Sequence, residues 1–136
     1  MNVLVTGGAG FIGSHVVERL LDRGDTVTVV DDFNDFYNPT IKRNNVRGFL
    51  DRVELIEADI CADLRPAFAA HHFDTIIHLA ARAGVRPSLE QPQLYTRVNI
   101  VGTQNLLELA REFVVKKFVF ASSSSVYGVN QKVPFS

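Results

Sequence analysis

The chain has 136 residues, 46% of them hydrophobic and 21% charged, with a formal net charge of −1. That length makes one domain or a piece of one, the apolar share is enough for a packed core, and the near-neutral balance argues against a nucleic-acid partner gripped by charge. Cys61 is the single cysteine, which excludes an internal disulfide and fits a reducing, cytoplasmic setting, and no apolar run approaches the ~18 residues of a membrane span.

Short β-rich runs alternate with longer helical stretches. The N-terminus has no basic head and no long apolar stretch, so no secretory signal is expected there. Val3-Leu4-Val5 reads as a strand buried on both faces. Phe11 to about Arg23 reads as a helix, with Ile12, Val16 and Leu20 spaced by four, and Gly24 stands where a helix stops. Thr26-Val27-Thr28-Val29-Val30 predicts a second strand. Asp32 to Asn38 predicts a loop, and Thr40 to Leu50 a helix. Val53 to Ile56 predicts a third strand, Ala62 to Ala70 a short helix, and Asp74 to Leu79 a fourth strand. Ala80 to Pro92, with Gly84, Pro87 and Pro92, predicts a loop. Gln93 to Phe113 predicts the longest helix, and Lys117 to Ala121 a fifth strand followed by loop. Strands alternating with helices imply a parallel sheet covered on both faces, its strands continuously apolar. Right-handed crossovers then give a doubly wound α/β sheet of about five strands in order 3-2-1-4-5, with ligands at the carboxyl ends of the strands.

The first strand runs into Thr6-Gly7-Gly8-Ala9-Gly10-Phe11-Ile12-Gly13, which opens the first helix. The glycines fall at G-x-x-G-x-x-G spacing: Gly7, Gly10 and Gly13. That spacing permits a tight turn off the strand, close approach of a pyrophosphate to the backbone, and close packing of helix on sheet. The free N–H groups and dipole at the helix start favour phosphate. Phe11 and Ile12 belong to that first turn. Asp31 ends the second strand eighteen residues after Gly13, with Asp32 beside it. A carboxylate there accepts hydrogen bonds from ribose hydroxyls and repels a 2′-phosphate, so the expected cofactor is NAD rather than NADP.

With these residues in place, the chain resembles an extended short-chain dehydrogenase/reductase over essentially its whole length. More narrowly, it resembles the NAD-dependent nucleotide-sugar epimerase/dehydratase family. The resemblance implies an incomplete Rossmann domain. In Glu57-Ala58-Asp59-Ile60 it places Asp59 and Ile60 beside the adenine. In the stretch from His78 to Val85 it places Leu79, Ala80 and Ala81 against the cofactor. Asn99, in Val98-Asn99-Ile100-Val101-Gly102-Thr103, matches the family's asparagine helix. Ser123, in Ala121 to Gly128, matches the catalytic hydroxyl. Asp32 to Tyr37, Ala83 to Leu89 and Ser122 to Gly128 lean towards the 4-epimerases of UDP-glucuronate. The family's dehydratases carry Thr-Asp-Glu before Val-Tyr-Gly. Here Ser123, Ser124 and Ser125 stand in those places. The acid pair for eliminating water is absent.

The family's acid–base pair is Tyr-x-x-x-Lys. Four residues after Tyr37, Tyr95 and Tyr127 stand Ile41, Asn99 and Gln131, so the chain holds no such pair. The expectation is therefore an NAD-binding domain over residues 1–136 that stops before that segment and before the substrate domain. Alone it is expected to be inactive. The alternatives are a dinucleotide-binding module without chemistry, an epimerase acting on another nucleotide sugar such as UDP-glucose, and a structural α/β domain. Arg82 and Arg86 lie in the loop over the expected site, where either could meet a phosphate or a substrate carboxylate. His78 reads as a buried structural histidine, and the histidines with Cys61 match no metal-ligand spacing. Tyr127 reads as a packing residue. Lys42 and Arg43 read as solvated surface. The edge of the fifth strand, or the 93–113 helix, is expected to mediate self-association.

Overall fold

The structure, a computed structural model, describes residues 1–135. Its core is a five-stranded parallel sheet in the order β3-β2-β1-β4-β5. The strands are β1 (Asn2–Thr6), β2 (Thr26–Asp31), β3 (Glu54–Glu57), β4 (Thr75–His78) and β5 (Lys117–Phe120). Register is set in the centre, where Leu4 lies between Thr28 and Ile76. Side chains alternate across the pleat. Val3, Val5, Val27 and Val29 pack on one face, with Val17 and Leu20 of the helix α1 (Phe11–Asp22) and with Phe49. Leu4, Val30 and Ile76 pack on the other, with Phe68 of α3 (Arg65–His71) and with Leu106 and Leu109. Phe49 and Phe68 are fully buried. Each contributes roughly 1.5–3 kcal/mol relative to exposure.

The expected strand order and helix layers are observed. Four details differ. The outer strands are not buried on both faces: in β3 exposed Glu54 and Glu57 flank half-buried Leu55 and Ile56, and β5 leaves Val119 and Phe120 half exposed. The expected loop from Ala80 to Pro92 contains a helix, α4 (Val85–Glu90). Pro87 falls in its first turn, where the missing N–H has no internal acceptor to lose. The long helix comes in three pieces, α5 (Pro92–Thr96), a π-helical segment Arg97–Gly102 and α6 (Thr103–Glu112). Finally, α3 starts later than the sequence predicts, at Arg65, and the helix α2 (Pro39–Val46) is shorter, with Asn38 as its cap accepting the Thr40 N–H. Among the described residues no helix is long and apolar enough to cross a membrane.

Candidate cofactor site

A cleft of about 450 Å³ opens at the carboxyl ends of the strands. Each strand end supplies part of its wall. Gly7, Gly10, Phe11, Ile12 and Gly13 follow β1; Asp31 and Asp32 close β2; Ala58, Asp59 and Ile60 follow β3; Leu79 to Ala83 follow β4; Ala121 follows β5. This is the crevice expected where crossovers from β1 and β4 run to opposite sides of the sheet.

The glycine turn is built by contact as well as by torsion. Gly7 has φ +72, and a Cβ there would lie 2.7 Å from the Ala80 nitrogen. The Gly7 N–H donates to the Val30 carbonyl at 2.8 Å, and the Gly10 N–H donates to the Gly7 carbonyl at 3.1 Å. Gly10 caps α1 with extended backbone and no side chain, and the first turn holds no acidic residue. The N–H groups of that turn have no acceptor inside the helix. They face the cleft, where backbone dipoles of that sign favour an anion.

Asp31 is 4% exposed. Its Oδ2 accepts the Ala9 N–H at 3.1 Å, and its Oδ1 accepts the Phe33 N–H at 3.0 Å and the Lys42 ammonium at 2.8 Å. The carboxylate therefore ties β2 to the glycine turn. Lys42 is the correction here. It is buried and paired, not solvated, while Arg43 is half exposed and paired with Glu57 at 2.7 Å. Asn45, one turn on in α2, donates to the Ala9 carbonyl at 2.9 Å, so α2 is pinned to both the turn and the acid.

On the far wall, Asp59 accepts the Cys61 N–H at 2.9 Å and pairs with Arg97, also at 2.9 Å. Ile60 is buried behind it. Asn99 does not line the cleft; its amide makes two bonds to the backbone of Arg82, accepting the N–H at 2.8 Å and donating to the carbonyl at 3.0 Å. It acts on the cleft through the loop it holds. Arg82 lines the cleft. Arg86 does not: its side chain is 92% exposed and lies 3.9 Å from Glu90. Ser123 also lies outside the lining, with its Oγ accepting the Ser125 N–H at 3.2 Å. Tyr127 is half exposed, stacked on Phe135.

His78 is buried at the end of β4, as expected of a structural histidine. Thr103 donates to the Asn99 carbonyl at 2.8 Å, so its Oγ1 receives the His78 Nε2–H at 2.9 Å. Nδ1 then accepts from the Thr6 hydroxyl at 2.6 Å, and Thr6 Oγ1 accepts the Ala80 N–H at 3.3 Å. The chain of bonds runs one way only with a neutral ring. Burial accordingly lowers the His78 pKa from 6.5 to about 4. The unfolded chain takes up a proton below pH 6.5 and the folded one does not until about pH 4. Stability from this group is thus complete above pH 6.5 and falls with pH, by about 2–3 kcal/mol near pH 4. Urea titrations between pH 7 and 4 will show this slope, and His78→Gln will flatten it; equal slopes in both proteins would refute the assignment.

A sequence model of the family described as GDP-mannose 4,6 dehydratase matches residues 4–136. The chain belongs to this family. Within reach of it are proteins with other activities. The chain is 48% identical to UDP-glucuronate 4-epimerase 4 of Arabidopsis thaliana over all of its own length and 32% of that protein's. The UDP-glucose 4-epimerase of Thermus thermophilus, solved in complex with NAD, is 43% identical with a TM-score of 0.79, over 90% of this chain and 38% of that one. A UDP-glucose 4-epimerase from Stenotrophomonas maltophila, with bound NAD and formylated UDP-arabinopyranose, is 34% identical with a TM-score of 0.86, over 98% of this chain and 40% of that one. The chain therefore spans about two fifths or less of the family members it matches. Among the described residues no cluster of histidine, cysteine, aspartate or glutamate is placed to hold a metal ion.

Proposed function

We propose that the chain is the NAD-binding part of a nucleotide-sugar 4-epimerase, one that leans towards UDP-glucuronate. The observation that carries the reading is the cleft itself, where an acid-free helix start and a buried β2 carboxylate face each other across one volume. The residues fit the cofactor. The turn from Gly7 to Gly13 suits the pyrophosphate, Asp31 the adenosine ribose, and the apolar side of Ile60 the adenine. Leu79, Ala80 and Ala81 line the nicotinamide side, and Arg82 stands ready for an anionic group of cofactor or substrate. Bound NAD supplies a reversible hydride acceptor. Ser123 is the proposed hydrogen-bond partner of the sugar oxygen at C4, and Asn99 positions the loop that carries Arg82. The reaction of the whole protein is oxidation at C4, rotation of the 4-keto sugar and reduction on its other face. The three serines at 123–125 support an epimerase over a dehydratase.

Calorimetric titration of the 136-residue chain with NADH is the deciding test. Binding in the micromolar range is expected, and absence of heat with a folded chain would overturn the reading. Self-association is proposed through the β5 edge or the outer face of the 93–113 helix, where Ile100, Val101 and Leu107 are about half exposed or more. A single monomeric mass at all concentrations in light scattering would exclude it. The lone Cys61 supports a cytoplasmic setting.

A further inference from the structure

Two basic side chains line the cleft, Lys42 and Arg82. Lys42 is taken up by the acids beside it, 2.8 Å from Asp31 and 3.6 Å from Asp32. Asp59, on the far wall, is taken up by Arg97 at 2.9 Å. Arg82 has no carboxylate partner among the described residues, and its Nε–H is buried without an acceptor. Buried donors in native proteins are nearly always satisfied, and leaving one unmade is unfavourable. An orphaned donor in the wall of a ligand-sized cleft points to an acceptor that arrives with the ligand.

The backbone beneath this side chain is held from outside the loop. Asn99 accepts the Arg82 N–H at 2.8 Å and donates to the Arg82 carbonyl at 3.0 Å. Tyr95, four residues before Asn99, donates its hydroxyl to the Ala83 carbonyl at 2.5 Å. Gly84 follows with φ +98 and ends the held stretch before α4. The guanidinium is thus presented from a fixed base, and little backbone freedom remains to be lost when it grips an anion.

Position along the cleft selects the anion. In the reading above, the diphosphate lies on the glycine turn after β1, and the nicotinamide lies against Leu79, Ala80 and Ala81 after β4. Arg82 is the next residue of that second wall. Hydride transfer needs C4 of the sugar against the nicotinamide. In a hexuronate the carboxylate is attached to C5, the carbon next to C4. A sugar seated for oxidation at C4 therefore carries its carboxylate to the nicotinamide wall and not to the glycine turn. There the Nε–H and a terminal N–H of a guanidinium form a fork that matches two carboxylate oxygens. The hydroxymethyl group of a neutral hexose offers a single uncharged oxygen in the same place.

We propose that Arg82 is the residue that selects a uronate: its guanidinium grips the C6 carboxylate of a nucleotide hexuronate, with Tyr95 and Asn99 as its positioning residues. This rests on the epimerase reading above and supplies a physical cause for the lean towards UDP-glucuronate.

The test uses the 136-residue chain saturated with NADH and labelled with 15N in arginine. UDP-glucuronate and UDP-glucose are titrated separately. The Arg82 Nε–H resonance, assigned through Arg82→Met, is expected to move with UDP-glucuronate and to stay in place with UDP-glucose. UDP-glucuronate is expected to bind about tenfold more tightly, the scale of a hydrogen bond between charged groups. In Arg82→Met the two sugars are expected to bind equally, and Tyr95→Phe, which keeps the guanidinium, is expected to narrow the ratio. Equal affinities in the unaltered chain, indifference to both sugars, or a preference that survives Arg82→Met overturns the proposal. A ratio untouched by Tyr95→Phe overturns the positioning role of Tyr95. An Nε–H resonance that moves with NADH alone, and no further with UDP-glucuronate, would give Arg82 to the cofactor diphosphate and overturn the assignment to the sugar. A chain that binds no NADH sinks the dinucleotide reading as well; one that binds NADH and does not discriminate sinks the Arg82 assignment alone.

Discussion

Replacing Gly13 with alanine is expected to destabilise the chain by about 3 kcal/mol and to abolish dinucleotide binding. A Cβ on Gly13 would overlap the Gly7 carbonyl oxygen and come within 2.8 Å of the Gly8 Cα. Both are backbone atoms, so no rotamer change relieves the overlap. Either the first turn of α1 lifts off the glycine turn or the turn moves away from the sheet. The second route strains Gly7, already against the Ala80 backbone. The first displaces the N–H groups that face the cleft. Gly48→Ala is the control, because nothing lies within 4 Å of a Cβ there. That variant should melt within about 1 kcal/mol of the parent. Equal melting of Gly13→Ala and Gly48→Ala would show that the close crossing is not what holds the turn.

The centre of the fold was legible because its causes are local. Val3-Leu4-Val5 and Thr26 to Val30 are β-branched or apolar at every position, and both become strands with neighbours on each side. The edges were not, because an edge position is a property of the whole sheet. Leu55, Ile56, Phe118 and Val119 have the composition of central strands, yet β3 and β5 each pair with a single neighbour. The helix α4 was hidden behind Pro87 and Gly84, which punctuate loops and helix starts equally well. The π-helical turn at Arg97–Gly102 leaves no mark in an apolar periodicity. It carries Asn99, whose link to Arg82 spans seventeen residues.

The site divides in the same way. The glycine turn and Asp31 were found because their spacing along the chain is itself the signal. Of the two loop arginines, Arg82 lines the cleft and Arg86 points to solvent, a difference made by the start of α4 between them. Lys42 was missed because a charged residue on a short helix is solvated by default. What overrides the default is the fold of the intervening loop. Asp32 accepts both the backbone and side-chain N–H groups of Asn34, Asn34 accepts the Phe36 N–H, and α2 is returned to the end of β2. No residue type at position 42 announces that path.

The second large effect is expected at Asp31. Asp31→Ala should lower stability by about 3–5 kcal/mol, because it leaves the Lys42 ammonium buried without its close partner. It also strands the Ala9 and Phe33 N–H groups. Loss of NAD binding in that variant alone is therefore uninformative about the ribose, since the glycine turn loses an anchor at the same time. The pair has to be removed together. Asp31→Ala with Lys42→Met takes away both charges, so much of the loss should return, and the double variant should be more stable in urea than Asp31→Ala alone. Asp31→Asn separates the two roles: its amide oxygen can still accept from a backbone N–H while the charge is gone. Strictly additive effects of the two single changes would mean that Lys42 and Asp31 do not act as a unit. Recovery in the double variant without recovery of NAD binding would assign the pair to the ligand as well as to the fold.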